Sequence, residues 1–141
     1  MKIIIPVGGL GARMRPHTHV IPKPLLSIAG KPGLAHLFDL LKEFDIAQEK
    51  KLGDNRISKI SEILCITGYM KDTIKDYITK ESPYPVTFAH QEVRDGSGGA
   101  VRLVKEFVKN EPVLIIFPDA IFEMDLSIID TLASDESGII W

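Results

Sequence analysis

An α/β fold, with a mostly parallel sheet flanked by helices, is what this sequence predicts, and three observations carry the prediction. Short β-branched apolar runs alternate with helix-period stripes along the chain. The runs are near-continuously apolar rather than alternating, as strands covered on both faces must be. A long segment of glycines and prolines, residues 8–24, follows directly on the first run.

Taken in order, residues 2–7 read as the first strand. Gly8, Gly9, Gly11, Pro16, Pro22 and Pro24 deny the next segment a regular helix, leaving a long ordered loop of the kind that carries function. Leu34, Leu37, Phe38 and Leu41 recur at helical spacing. Residues 45–59 are charged around Gly53-Asp54-Asn55 and read as a surface excursion. Residues 62–66 give a second strand, and Met70, Ile74, Tyr77 and Ile78 a second helical stripe. Residues 85–89 give a third strand, with Ala100, Leu103, Val104, Phe107 and Val108 as the stripe after it. Residues 113–117 form the fourth strand, and Leu126, Ile129, Leu132 and Ala133 a shorter helix begun by Asp125. Residues 138–141 close the series as a fifth strand ending in a core Trp141. No internal repeat is present.

The 141 residues have the size of one domain, able to bury roughly two thirds of the surface of the unfolded chain. A net charge of −2 provides no general attraction to nucleic acid or to an anionic membrane, so phosphate binding has to be local. No run approaches the roughly 20 apolar residues of a membrane helix, and the N-terminal run is too short for a signal peptide. A single cysteine, Cys65 between Leu64 and Ile66, excludes an intrachain disulfide and fits a core thiol in a reducing cytoplasm.

If the strands run parallel, three segments leave the sheet at one carboxyl edge: the loop after the first, residues 91–99 after the third, and Asp119 just past the fourth. Open α/β sheets bind ligands at that edge. The loop begins Gly8-Gly9-Leu10-Gly11-Ala12-Arg13. Glycines directly after a strand let the backbone approach a phosphate and turn N–H groups toward it. No Gly-Lys-Ser/Thr follows, so this is not a P-loop. It also departs from the dinucleotide fingerprint, whose third glycine would fall at Met14. Arg13 adds a forked cation where phosphate charge would lie. Lys23 stands between Pro22 and Pro24 on a stiff backbone, although by itself it reads as a solvated loop lysine. Arg15 reads equally as a phosphate contact or a solvated arginine, and Lys31 as solvated. His17 and His19 lack the further ligands that a metal site needs.

Together these pieces form a longer pattern. Gly8-Gly9-Leu10-Gly11-Ala12-Arg13-Met14-Arg15-Pro16-His17-Thr18-His19-Val20-Ile21-Pro22-Lys23-Pro24-Leu25, then Gly30-Lys31-Pro32, follow Gly-Gly-x-Gly-x-Arg-x-x-Pro-x-Thr-x-x-x-Pro-Lys-Pro-Leu with a later Gly-Lys-Pro. On this signature the chain resembles the sugar-phosphate nucleotidylyltransferases. Gln91 with Gly96-Ser97-Gly98-Gly99-Ala100 is similar to that family's base-recognition segment. Phe117-Pro118-Asp119 and then Asp125-Leu126-Ser127 are similar to its strand ending in Gly-Asp and the Asp-Leu-Ser beyond.

The resemblance implies a Rossmann-like fold of the nucleotide-diphospho-sugar transferase type. It implies transfer of a nucleotidyl group from a nucleoside triphosphate to a sugar 1-phosphate, with release of pyrophosphate. Arg13 and Lys23 would be catalytic, Gly8, Gly9, Gly11, Gln91 and Gly96 would bind the nucleotide, and Asp119 would hold Mg²⁺. Gln91 suits a uracil, thymine or guanine edge, so the base stays open, as does the sugar. Ala12 departs from the family's usual threonine and Pro118 from its glycine. Family members continue for about as many residues again, with sugar contacts and a second metal-binding aspartate. Residues 1–141 are therefore expected to be a single nucleotide-binding domain, the N-terminal part of a longer catalytic domain, and inactive by themselves. Two alternatives stay open: a cytidylyltransferase acting on phosphocholine or a similar alcohol phosphate, and a non-catalytic subunit of the same fold that senses nucleotide sugars. The molybdopterin-type guanylyltransferases fit less well, since their lysine follows the arginine more closely. Nothing in the residues constrains oligomeric state, a homo-oligomer included.

Overall fold

Ile3, Ile4 and Ile5 determine where the fold begins, because β-branched side chains suit the pleat and successive ones face opposite sides. The computed structural model of the chain describes residues 1–53, 58–93, 96–108, 111–119, 126–132 and 137. Strand β1 (Lys2–Pro6) carries the isoleucines, and all three are buried. Ile3 and Ile5 join Ile63 and Cys65 in one core, while Ile4 joins Leu64 and Ile66 in a second. Each such side chain contributes about 1.5–3 kcal/mol on leaving water, so neither sheet face tolerates exposure.

After the loop come two short strands, β2 (Ser27–Ile28) and β3 (Lys31–Pro32), paired antiparallel. Helix α1 (Gly33–Leu52) packs Leu34, Leu37, Phe38, Leu41 and Phe44 into the first core. Its length corrects the expectation of a surface excursion from residue 45. Phe44 and Gln48 extend the buried stripe beyond Leu41, and the helix stops only at Gly53, whose φ of 76° no ordinary side chain favours. The Gly53 N–H closes the last turn on the Glu49 carbonyl at 2.9 Å.

Strand β4 (Glu62–Thr67), helix α2 (Lys71–Glu81) and strand β5 (Val86–His90) follow. Ile74 and Ile78 of α2 are fully buried on the α1 side of the sheet. Helix α3 (Gly96–Leu103) covers the other face through Ala100, and Val104 just beyond it completes that contact. The stripe expected to run on to residue 108 breaks at Val104, where a second short helix, α4 (Lys105–Val108), begins. Leu103 and Phe107, counted as core from their spacing, are instead more than 40% exposed, at 44% and 43%. Strand β6 (Val113–Ile115) is shorter than expected, though Ile116 still donates to the Ile4 carbonyl at 3.0 Å. A 3₁₀ helix (Leu126–Thr131) replaces the expected last α-helix and buries Leu126 and Ile129 against the α1 face. The expected fifth strand, with Asp125 and Trp141, lies outside the described residues.

The sheet order is β5-β4-β1-β6, and every pairing is parallel. From β1 the chain steps to β4 and β5 on one side, then returns to place β6 on the other side of β1. That reversal creates a switch point between β1 and β6, and the crevice beyond their carboxyl ends is where such sheets take a ligand. Among the described residues no helix is long and apolar enough to cross a membrane.

Candidate functional site

The residues from 8 to 25 form no long helix, as their prolines require, but they are tightly organised. Three short 3₁₀ turns follow one another: Ala12–Met14, His17–His19 and Lys23–Leu25. The loop leaves the sheet at Gly8, which crosses Gly68 at the end of β4 so closely that neither could carry a side chain. A Cβ at Gly8 would stand 2.9 Å from the Gly68 nitrogen, and one at Gly68 would stand 2.7 Å from the Gly8 oxygen. Tyr69 N–H donates to that Gly8 carbonyl at 3.2 Å, fixing the start of the loop to β4. Gly11 then turns the chain in the left-handed region at φ 60° and ψ 31°.

A cleft of about 510 Å³ opens where the switch point requires it. It is lined from four separate stretches of sequence. The loop contributes Gly8, Gly9, Gly11 and Arg13, and the turn beyond it contributes Lys23. Gln91 and Gly96 enter from the end of β5 and the start of α3, and Asp119 from beyond β6. Every residue singled out in the sequence for catalysis, nucleotide binding or metal therefore faces one cavity. Pro6, Val7, Ala100 and Phe117 supply apolar wall.

Within the cleft the polar groups are arranged as follows. Lys23 Nζ stands 2.8 Å from Asp119 Oδ2, a charge-assisted hydrogen bond across the cavity. The Lys23 amine holds the Asp119 carboxyl below the usual carboxylate range, more than partial burial raises it. The pair is half-exposed, so it marks an open, addressable site rather than a buried structural bridge. Gln91 Nε2 donates to the Gly96 carbonyl at 3.0 Å, tying the end of β5 to the first turn of α3. Arg13 is exposed on its short turn, whose Met14 N–H closes on the Gly11 carbonyl at 2.9 Å.

Asp119 is the carboxylate that a cation in this cleft would use. Among the described residues no group of three or more His, Cys, Asp or Glu could hold a metal by itself. That donor set still fits Mg²⁺, which is characteristically held by one or two carboxylates together with the phosphates of a bound substrate. His17 and His19 are both exposed and belong to no such group. Lys31 is drawn away from the cleft into an ion pair with Asp39.

Two residues at this site were not singled out from sequence. Gly68 backs the glycine loop from β4, and Thr18 is buried under it. Gly68 offered no signal, because its partner is distant in sequence. Thr18 did offer one, as a fixed position in the loop signature.

An arginine, a lysine and an aspartate meet glycine backbone at the switch point, and comparison with known proteins shows the family. The sequence profile described as nucleotidyl transferase matches residues 2–139. The chain belongs to the nucleotidyl transferase family. It is 36% identical over 126 residues to the bifunctional protein GlmU of Methanocaldococcus jannaschii, an alignment covering 89% of this chain and 26% of that protein. It is 31% identical over 128 residues to the D-glycero-alpha-D-manno-heptose 1-phosphate guanylyltransferase of Campylobacter jejuni, covering 90% of this chain and 51% of the relative. A solved structure from Bacillus anthracis, described as a glucose-1-phosphate thymidylyltransferase, superposes with a TM-score of 0.73 at 29% identity. That match covers 92% of this chain and 48% of the other. The nucleotidyl transferase chain thus spans between a quarter and about half of the relatives it matches.

Proposed function

We propose that the cleft is the nucleotide half of an active site that joins a nucleoside triphosphate to a sugar 1-phosphate, yielding a nucleoside diphosphate sugar and pyrophosphate. The observation that carries this reading is the meeting of Arg13, Lys23 and Asp119 with the Gly8–Gly9–Gly11 backbone in one cavity. The relatives' names support it, since they include guanylyl and uridylyl transfer to sugar 1-phosphates.

In the reaction a phosphate oxygen of the sugar 1-phosphate attacks the α-phosphorus in line. A new P–O bond forms, the bond from the α-phosphorus to the bridging oxygen breaks, and pyrophosphate leaves with the electron pair. No covalent enzyme intermediate is needed, so the protein's contribution is placement and charge. Arg13 binds the β- and γ-phosphates with its fork and meets the charge that gathers on the leaving group. Lys23 sits over the α-phosphate and draws in the acceptor phosphate, its amine exchanging Asp119 for phosphate oxygens. The glycine backbone lies against the nucleotide, with Gly9 on the open side and Gly8 and Gly11 packed against the protein behind it. Gln91 and the Gly96 backbone face the base. Asp119 would hold Mg²⁺, which when bound supplies neutralising charge between carboxylate and phosphates.

The test is calorimetric titration of ATP, CTP, GTP, UTP and dTTP, each with Mg²⁺, into the chain and into its Arg13→Ala and Asp119→Ala variants. One triphosphate is expected to bind preferentially and so to name the base. Arg13→Ala should weaken it at least tenfold, and Asp119→Ala should remove its Mg²⁺ dependence. A folded chain that binds none of the five would overturn the reading.

A further inference from the structure

Between the two exposed histidines of the loop lies a threonine that faces the other way. Thr18 is 1% exposed, the buried residue of its own 3₁₀ turn. Its Oγ1 donates to the Gly11 carbonyl at 2.9 Å. The same carbonyl accepts the Met14 N–H at 2.9 Å, which closes the Arg13 turn. Both lone pairs of one peptide oxygen are thus engaged, one by the turn that carries Arg13 and one by Thr18.

Sterics point the same way. A Cβ built on Gly11 would meet the Thr18 methyl at 2.7 Å and Lys23 Cβ at 3.1 Å. Gly11 is therefore seated between Thr18 and the base of Lys23, with no room on that side. Its left-handed backbone is costly for other residues, and it persists when neighbours hold it there. From that turn Arg13 lines the cleft, and so does Lys23, whose Cβ lies against Gly11.

We infer that Thr18 is the positioning residue of this site: its hydroxyl and methyl hold Gly11 in the left-handed turn that aims Arg13 and Lys23 at one bound triphosphate. Thr18 does not line the cleft and touches no substrate. The phosphate part of the inference rests on the proposed function, whereas the holding of the turn does not.

The hydroxyl and the methyl can be separated. Thr18→Val keeps the branched shape and removes the donor, while Thr18→Ser keeps the donor and removes the methyl. The first readout needs no ligand: amide hydrogen exchange of Met14, measured against core amides of β1 and β4. Thr18→Val is expected to speed Met14 exchange at least tenfold with core protection unchanged, and Thr18→Ser to retain most of the protection. The second readout is affinity for the triphosphate that binds best, with Mg²⁺. Thr18→Val should weaken it about tenfold, Thr18→Ser should largely restore it, and Thr18→Val should add little in an Arg13→Ala background. A general loss of stability would instead speed exchange throughout and add fully to Arg13→Ala. Unchanged Met14 exchange in Thr18→Val overturns the inference, as does an affinity loss equal in the two Thr18 variants. Altered Met14 exchange in a chain whose wild type binds no triphosphate supports the holding role and sinks the phosphate-site reading.

Discussion

Asp119 and Lys23 stand 96 positions apart in the chain and 2.8 Å apart in the cleft. The lysine amine, by hydrogen bonding first and by its charge second, keeps the carboxyl ionised to lower pH than an ordinary aspartate. Its folded-state pKa therefore lies below its unfolded value. The pair favours folding above the ordinary carboxylate range and loses that contribution as pH falls through the lower folded value. Lys23→Met should move the Asp119 carboxyl titration upward toward the ordinary range, as followed by NMR of the side-chain carboxyl carbon. An unmoved titration would mean that the lysine is not its partner in solution. Cys65 is the opposite case. Burial at the centre of β4 pushes its thiol up to about 12, so almost no thiolate exists at neutral pH. Iodoacetamide at pH 8 should leave the native chain unmodified and label Cys65 only after denaturation. Native labelling at the rate of a free thiol would contradict the burial. Arg13 was legible as a forked cation in a glycine loop directly after a strand, and Asp119 as a carboxylate at the same sheet edge. Lys23 read by itself as a solvated loop lysine and drew its expected role, as Asp119 did, from the family resemblance. Gly68 was not legible, because what it does is defined by a backbone crossing with Gly8 that no local pattern records.

At the scale of elements, α1 shows where pattern reading stops short. Its second half carries Asp45, Glu49, Lys50 and Lys51, and these charges obscured the stripe. Only Phe44 and Gln48 point inward there, and Gln48 is polar. The helix continues because burial of one aromatic every two turns is enough once the first half is docked. Phe44→Ala should cost about 3 kcal/mol in urea unfolding, as for other large-to-small changes of a buried aromatic. A cost under about 1 kcal/mol would show that the second half of α1 contributes little to the core. The stripe through residues 100–108 failed in the other direction. Its spacing suits a continuous helix, yet the backbone breaks at Val104 and turns Leu103 and Phe107 outward. Periodicity reports which residues could share a face, while the break depends on how α3 meets the sheet. The central strands β1 and β4 were read more accurately, since their near-continuous apolar runs follow directly from burial on both faces, whereas β6 leaves Val113 and Ile115 exposed.

Across the whole molecule the two ends of the sheet have different tasks. The carboxyl edge gathers the cleft and leaves its charges open to solvent and ligand. The amino edge is tied shut. Lys2 at the start of β1 donates to the Phe107 carbonyl at 2.6 Å and approaches Glu62 at 3.4 Å and Glu111 at 3.5 Å. Ser61 joins the same network through Glu111 and the Met1 carbonyl. Lys2 is largely buried in this network, so its removal leaves two carboxylates and a carbonyl without their shared donor. β1 alone separates the two edges by about 16 Å, the span of five residues of strand. Sites that far apart with no common partner should behave independently. Lys2→Met is therefore expected to lower unfolding stability by about 1–2 kcal/mol while leaving triphosphate affinity within about twofold. Arg13→Ala, on an exposed turn, should do the reverse: little loss of stability, and affinity reduced at least tenfold. Denaturant melts and calorimetric titrations of the two variants, side by side, measure both quantities. If Lys2→Met weakened binding as much as Arg13→Ala does, the two edges would be coupled through β1, and the sheet could no longer be treated as a rigid platform for the cleft.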